Sequence, residues 1–441
     1  MGMSGYKGNK LCTSLDENKK QTEGANGRVI QIFNQHATLP ESGQFGRHYF
    51  FSKYLKRAGY DPVVFAGSNP HNTEMQLVKS KALYQTSQYE GFSFVLVKTC
   101  VYDGSKFMRI LAMLQYFLRL FAVTRQFDKP QVIIGSSVHP LACVAAIKLA
   151  KKHRCKSIVE IRDLWPESIV TYGIKSRSSL IIRLLYKLEK WIYTKADAII
   201  FTMEGGKDYI VEKGWDKEHG GSIDLTKVYH INNGVDLELF DYNQKNHVLS
   251  DIDLDDPNTF KVIYTGSIRL VNQVETIVDV ATYLSDLENN NIRFLIYGDG
   301  NERAKLELEC KKRKLNNIIF KGHVDKKYIP YITSRASLNL MQYGSTPILR
   351  YGASMNKSFE YLAAGKPIVG NIAPKYDYIE SNGCGIMREF HSAKEYADAI
   401  LKVANMPQSE YLVMCENAKM TAKQYDFRVL TEKLITVIKN I

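Results

Sequence analysis

A chain of 441 residues is longer than one hydrophobic core usually supports, so two domains are expected. Its 45% hydrophobic and 24% charged residues are those of a globular protein and exclude a disordered chain or a membrane bundle. The 59 basic against 46 acidic residues leave a formal charge of +13, which favours an anionic partner such as a phosphate or an acidic lipid. Nucleic acid is not expected, because no basic stripe interleaved with aromatics runs along the chain.

The first 28 residues are polar and rich in Gly, Lys and Asn; lacking an apolar core, 1–28 reads as a disordered tail rather than a secretory signal. From residue 29, apolar runs alternate with helical segments, the pattern of parallel βαβ units. Strands are predicted at Val29–Phe33, Pro62–Ala66, Phe92–Val97, Val132–Gly135, Ser157–Ile161 and Ala198–Thr202. Between the first two, Phe50, Phe51, Tyr54 and Leu55 recur at helical spacing, which predicts a helix over Arg47–Ala58. The polar, Asp/Asn-rich stretch 241–259 reads as a linker. The alternation then restarts, with strands at Lys261–Thr265, Arg293–Tyr297, Ile318–Lys321, Ala336–Met341, Pro367–Gly370 and Gly385–Arg388. Helices are predicted at Gln273–Leu287 and Glu302–Lys314. The reading is α/β: a Rossmann-like domain over 29–240, a second over 260–424, and a last helix, 425–441, packing back on the first. In doubly wound sheets ligands sit at the carboxyl ends of the strands, so the cleft between the domains is the expected site. No uninterrupted apolar run reaches the length of a spanning helix.

Seven scattered cysteines (Cys12, Cys100, Cys143, Cys155, Cys310, Cys384 and Cys415) form no CxxC and no Cys/His spacing. They suggest neither a disulfide framework nor a metal site, and suit a reducing cytoplasm. The acidic run Asp251–Asp256 falls in the linker and reads as solvated carboxylates, so no metal is expected.

The most informative segment is Ser354–Val369, SMNKSFEYLAAGKPIV. It predicts a helix from Asn356 to Ala364, with Gly365 as a left-handed C-cap and a strand led by Pro367. Free backbone N–H groups at that helix start suit an anionic diphosphate, and Lys357 adds a positive charge there. Glu360, one turn on, is placed to accept from both hydroxyls of a ribose; an ordinary capped helix with a solvated glutamate is the other reading. Gly266, Ser267 and Arg269 follow a predicted strand, where glycine allows close backbone approach and arginine can clamp phosphate oxygens. Gly298–Asp299–Gly300 also follows a strand, but Arg303 stands where a dinucleotide fingerprint has its third glycine. Asp163 sits just after the strand Ser157–Ile161 and points into the cleft, or else forms a turn with local N–H groups before Pro166. Arg162 beside it and His139, before Pro140, are further cleft candidates. In Lys106–Phe127 apolar residues cover most of a helix, punctuated by Lys106, Arg109, Arg119 and Arg125. That composition predicts an interfacial helix whose arginines meet anionic headgroups.

These pieces stand in a fixed order: LPESGQFGRHYF (Leu39–Phe50), VEIRDLWPESIV (Val159–Val170), INNGVDLELF (Ile231–Phe240), YTGSIR (Tyr264–Arg269), LIYGDGNERAKLE (Leu295–Glu307), FKGHV (Phe320–Val324) and the segment at Ser354. The ordered set resembles the family 4 retaining glycosyltransferases, which have the GT-B fold of two facing Rossmann-like domains. It is similar in particular to N-acetyl-fucosamine-type transferases of O-antigen and capsule clusters.

The resemblance implies retaining transfer of a sugar, an N-acetylhexosamine among the candidates, from a UDP-sugar to a polyprenyl-diphosphate-linked saccharide. It implies a cytoplasmic protein, peripheral on the inner face of the membrane, working in surface polysaccharide synthesis without metal or other cofactor. Asp163, Arg269 and Lys357 take the catalytic positions. Gly266, Ser267, Gly298, Gly300, His323, Val324, Ser354, Asn356 and Glu360 take the donor positions, with His323 and Val324 at the nucleobase. Gly43, Gly46, His139 and Arg162 fall on the acceptor side. One departure stands out: the family often carries two glutamates flanking seven residues, and the first falls on Gly352. A nucleotide-sugar epimerase of the same architecture, or an inactive nucleotide- or lipid-binding relative, stay open as readings.

Overall fold

The computed structural model describes residues 28–38, 45–69, 75–102, 104–137, 139–287 and 291–441. The expected tail up to residue 27, and Gly43, lie outside the described residues.

In the first half the order is β1 (Val29–Phe33), α1 (Arg47–Arg57), β2 (Asp61–Gly67), β3 (Tyr84–Tyr89), β4 (Phe92–Val97), α2 (Lys106–Val123), β5 (Val132–Ser136), α3 (Pro140–His153), β6 (Lys156–Ile161), α4 (Trp165–Thr171), α5 (Leu180–Lys195), β7 (Ala198–Phe201), α6 (Gly206–Glu212), β8 (Val228–His230) and α7 (Leu237–Asn246). The strands form one sheet in the order β3-β4-β2-β1-β5-β6-β7-β8, parallel throughout except where β3 runs against β4. Apolar runs such as VIQIF and FSFVLV are buried on both faces, as parallel strands sandwiched by helices must be. Helices α2, α3 and α5 cover one face and α1 the other.

The second half runs α8 (Ile252–Asp255), β9 (Phe260–Thr265), α9 (Glu275–Asp286), β10 (Ile292–Tyr297), α10 (Arg303–Lys312), β11 (Ile318–Gly322), α11 (Ile329–Ser334), β12 (Leu338–Met341), α12 (Asn356–Ala363), β13 (Ile368–Gly370), β14 (Gly385–Met387), α13 (Ala393–Ala404), α14 (Gln408–Gln424) and α15 (Phe427–Asn440). Its sheet, β11-β10-β9-β12-β13-β14, is wholly parallel. In each sheet the strand order reverses once, between β1 and β5 and between β9 and β12. Loops diverge at such a reversal and leave a crevice at the carboxyl ends. Two facing Rossmann-like sheets of this kind are the GT-B fold.

Two strands escaped the sequence reading for physical reasons. The edge strand β3, YQTSQY, is polar and half-exposed, so it offers no apolar run. β8 has only three residues. The stretch 241–259, read as a linker, holds the end of α7 and the short α8. Its acids are not merely solvated. Asp251 and Asp253 lie 2.5 and 2.6 Å from Lys321 Nζ, and Tyr297 donates to Asp251 at 2.8 Å, fastening α8 to the second sheet.

The chain crosses between the sheets twice, and the two crossings touch. Val235 N donates to Tyr425 O and Phe427 N to Val235 O, each at 3.0 Å. α15 then packs on α1, with Phe427 stacked on Phe50 at 4.8 Å between centroids. Gly234 makes this possible: a Cβ there would lie 2.1 Å from the Tyr425 carbonyl oxygen. Gly234→Ala should therefore lower stability to urea by about 1–3 kcal/mol, the usual cost of overpacking. An unchanged unfolding midpoint would show that the crossings are not in rigid contact.

Candidate active site

In the second domain three loops at the carboxyl ends of β9, β10 and β11 are bonded backbone to backbone. Gly266 N donates to Tyr297 O at 2.9 Å, Gly298 N to Gly322 O at 2.8 Å and Ile268 N to Asp299 O at 2.9 Å. Side chains would separate these loops. A Cβ on Gly298, whose φ is +153°, would lie 1.7 Å from Gly266 O, and one on Gly300 would lie 2.1 Å from Ile268 O. The glycines thus give a continuous backbone wall. Ser267 is exposed and donates to Asn272 at 3.0 Å; Arg269 is exposed and makes no ion pair among the described residues. His323 is exposed beyond the wall, while Val324 packs partly into the core around Tyr297 and Tyr331.

Opposite the wall, α12 begins without a side-chain cap, and Asn356 is exposed in its first turn. Lys357 reaches back to the wall. Its Nζ lies 4.4 Å from the centroid of the Tyr264 ring and 3.3 Å from its hydroxyl, and a Cβ on Gly266 would meet it at 2.9 Å. No carboxylate pairs with this ammonium among the described residues. Desolvation pushes its pKa down to about 8, only partly opposed by Glu360. Glu360 is instead 3.5 Å from Lys326, on the loop after β11. Ser354 turns away from the wall: it donates to Asn232 Oδ1, and Asn233 N donates to its hydroxyl at 3.1 Å. Among the placed candidates, Gly266, Gly298, Gly300, Asn356, Lys357 and Glu360 therefore gather at one crevice, and Ser354 belongs to the crossing.

Facing them in the first domain is a buried polar cluster. Arg47 Nε is 2.8 Å from Glu160 Oε2, and its other nitrogens donate to the carbonyls of Ile231 and Asn232. Ser136 donates to Glu160 Oε1 at 2.7 Å. His48, held neutral by burial, donates from Nε2 to the same oxygen at 3.1 Å and accepts at Nδ1 from Asn34. Burial alone would raise the Glu160 carboxyl; Arg47 and His48 outweigh it and hold it well below the usual range. Gly46 caps α1 without a side chain, 2.9 Å (from a built Cβ) off Thr38 Oγ1.

Asp163 is exposed and makes no side-chain bond among the described residues, whereas Arg162 N donates to Ser137 Oγ at 2.9 Å. The margins of the cleft are closed by contacts between the domains. Tyr172 and Tyr343 hydroxyls meet at 3.2 Å, Arg350 lies 2.6 Å from Glu212, and Lys375 lies 2.8 Å from Asp208.

His139 is 1% exposed, and neither ring nitrogen has a partner; burial, then the charge of Arg109, lower its pKa to about 4. The Nε of Arg109 is itself buried, so this side chain is turned inward. Arg119 is also turned inward, bonded to the carbonyl of Lys98. The expectation that the arginines of this helix meet headgroups is corrected for these two. The outer face of α2 is apolar instead, with Phe107 74%, Ile110 57%, Leu114 44% and Leu118 64% exposed. The helix over 106–126 is long and apolar enough to cross a membrane, contrary to the expectation that no segment reaches that length, but one of its faces is packed inside the domain. No group of three or more His, Cys, Asp or Glu residues that could hold a metal occurs among the described residues.

Two family models match in tandem: Glycosyltransferase Family 4 over residues 49–239 and Glycosyl transferases group 1 over 250–421. The chain belongs to the GT-B glycosyltransferases. It is 26% identical over 238 residues to the Bacillus subtilis (strain 168) protein TuaH, named for a glycosyltransferase of teichuronic acid biosynthesis. That match spans 51% of this chain and 55% of TuaH, about half of each. Among solved structures, sucrose-phosphate synthase from Thermosynechococcus elongatus superposes with a TM-score of 0.64 at 14% identity, covering 94% of this chain and 98% of that one. Anabaena HepE in complex with UDP superposes at 0.62 and 14% identity, covering 94% and 100%. These distant likenesses speak for the fold.

Against this family the departure at Gly352 has a local cause. Its φ is +94°, and a Cβ would sit 3.3 Å from Glu204 N and 3.6 Å from Tyr376 Cβ. Backbone strain and the neighbouring domain both disfavour a glutamate there in this glycosyltransferase. The sequence reading missed Tyr264 and Lys326, which touch Lys357 and Glu360, and the whole Arg47–Glu160 cluster. A tyrosine at a strand end reads as core, and an ion pair 113 residues apart leaves no local pattern.

The unpaired Lys357 carries a consequence for stability. With its pKa lowered from 10.5 to about 8, the folded chain binds fewer protons than the unfolded chain between those values. Stability of the free protein should therefore rise as pH climbs from 8 towards 10. Lys357→Met removes the cost and should raise the thermal midpoint of the ligand-free protein at pH 7. A lowered midpoint would mean that the ammonium is satisfied in the free fold.

Proposed function

We propose that this glycosyltransferase moves a sugar from a UDP-sugar to a lipid-linked saccharide acceptor at the inner face of the cell membrane, in surface polysaccharide synthesis. The observation that carries the reading is Lys357, an ammonium without a counter-ion that lies between a close-packed glycine wall and an uncapped helix start. Such a place favours a dianionic diphosphate, since the cost of holding the charge out of water is met only when an anion arrives. HepE, of the same fold, has been solved with UDP and with UDP-glucose, which supports this donor class. The teichuronic acid name of TuaH supports a polysaccharide acceptor. Exposed apolar residues on α2, and Leu180, Ile181 and Leu184 at the start of α5, support contact with a membrane surface.

In this scheme the bond from the anomeric carbon to the β-phosphate oxygen breaks, and one to an acceptor hydroxyl oxygen forms on the same face, with retention. The acceptor proton passes to the departing diphosphate. Lys357 and Arg269 stabilise the charge that collects there, without a metal ion. Gly266, Ser267, Gly298, Gly300 and Asn356 line the phosphates, His323 and Val324 the base, and Glu360 the ribose. Asp163 faces the acceptor, together with Arg162, Gly46 and His139. With Gly352 where the family often has its first glutamate, contacts to the transferred sugar differ from the family's, and an N-acetylhexosamine is the first donor to try.

The test is a panel of UDP-sugars with a polyprenyl-diphosphate saccharide, with and without EDTA. Transfer that persists in EDTA is expected; a changed UDP-sugar formed without acceptor would instead identify an epimerase. Glu360→Ala should weaken the preferred donor roughly ten- to a hundredfold, the worth of hydrogen bonds to a charged group. Unaltered donor affinity removes the ribose assignment. Because the protonated Lys357 binds, donor affinity should be level below about pH 7 and fall about tenfold from pH 7 to pH 9, as its pKa of about 8 is passed. A flat calorimetric profile across that range would exclude Lys357 from the diphosphate.

A further inference from the structure

A second anion-seeking cluster lies in the first domain, apart from the glycine wall, where α2 begins near the reversal between β1 and β5. His139 is buried with both ring nitrogens unbonded, and the Nε of Arg109 is likewise buried and unbonded. The charge of Arg109 acts on both His139 and Tyr102. The rings close the cluster: His36 stands 6.2 Å from His139 and 6.4 Å from Tyr102, and Tyr116 stands 6.2 Å from His139. A folded chain leaves few buried polar atoms unpaired, and those it leaves call for a partner. Two further observations give that partner its sign. Lys106 and Arg109 both lie at the amino end of an 18-residue helix with no acid in its first turn, where the helix dipole already presents positive charge. Arg109 makes no ion pair among the described residues.

We infer that Arg109 and His139 form a subsite for the phosphate or diphosphate group of the lipid-linked acceptor, its apolar chain lying along the exposed face of α2. Phe107, Ile110, Leu114 and Leu118 start within a turn of Arg109 and continue away from the cleft on that outer face. One end of α2 thus receives charge and its outer side receives hydrocarbon, the order in which a prenyl diphosphate presents them. The subsite would hold the acceptor's anchor while its saccharide reaches past Asp163 towards the donor crevice. The inference rests on the acceptor class proposed above, but its test does not require sugar transfer.

The full-length protein, its donor crevice filled with saturating UDP, is titrated calorimetrically with farnesyl diphosphate, inorganic pyrophosphate and farnesol. Farnesyl diphosphate should bind most tightly. Arg109→Gln should weaken it at least about tenfold, the loss expected for one charge-assisted contact, and Arg109→Lys should recover part of the loss. UDP affinity, measured on the same samples, should stay at the wild-type value and reports both folding and the donor reading separately. Equal binding of farnesyl diphosphate by wild type and Arg109→Gln overturns the subsite. Pyrophosphate binding as tightly as farnesyl diphosphate overturns the lipid source, and farnesol binding as tightly overturns the phosphate. As a check free of substitutions, phenylglyoxal labelling of Arg109 in the wild type should be suppressed by farnesyl diphosphate; undiminished labelling counts against the site.

Discussion

The guanidinium of Arg47 holds three parts of the molecule in one place. It sits at the start of α1, pairs with Glu160 at the end of β6, and donates to the carbonyls of Ile231 and Asn232 as the chain leaves the first sheet. Asn232 and Asn233 then bond Ser354, just before α12. A line of hydrogen bonds therefore runs from the floor of the first domain to the helix that carries Lys357 and Glu360. The pair is fully buried, and breaking such a pair is costly because the remaining charge has no water to turn to. The cleft is thus registered on a buried ion pair, with Gly234 keeping the two crossings in contact behind it.

The same electrostatic logic, applied in the opposite sense, marks the working surfaces. Glu160 is buried and satisfied by three partners, Arg47, His48 and Ser136. Lys357 is desolvated and has no counter-ion among the described residues, and the ring nitrogens of His139 and the Nε of Arg109 are buried without a partner. Lys357 and His139 both stand near the carboxyl ends of strands flanking the reversal of order in their sheets. Those are the positions where diverging loops leave space for a ligand. Unpaired charge at such points is a sounder guide to function than charge as such, since the surface of a chain with a formal +13 is basic in many places.

The architecture was largely legible in the sequence. Buried parallel strands need unbroken apolar runs, so β1, β4 and β10 stand out, and the glycine motifs followed the expected strands because only glycine lets their loops touch. Polar β3 and three-residue β8 lacked that signal. The stretch 241–259 misled for a related reason: its acids resemble solvated linker until Lys321 is brought to them. Helix α2 misled differently. Its composition showed that apolar and basic residues share one helix, but not which of them face the sheet.

By itself the sequence determined the α/β class, the two-domain plan and the residues of the glycine wall, because periodicity and glycine spacing are local properties. Tertiary structure decided what those residues face. It set Lys357 over Tyr264 without a counter-ion, turned Ser354 from the donor wall to the crossing, and drew Arg109 from a presumed lipid face to His139. Such facts depend on contacts between residues tens to hundreds of positions apart, and burial, which sets the cost of a charge, exists only once the chain has folded.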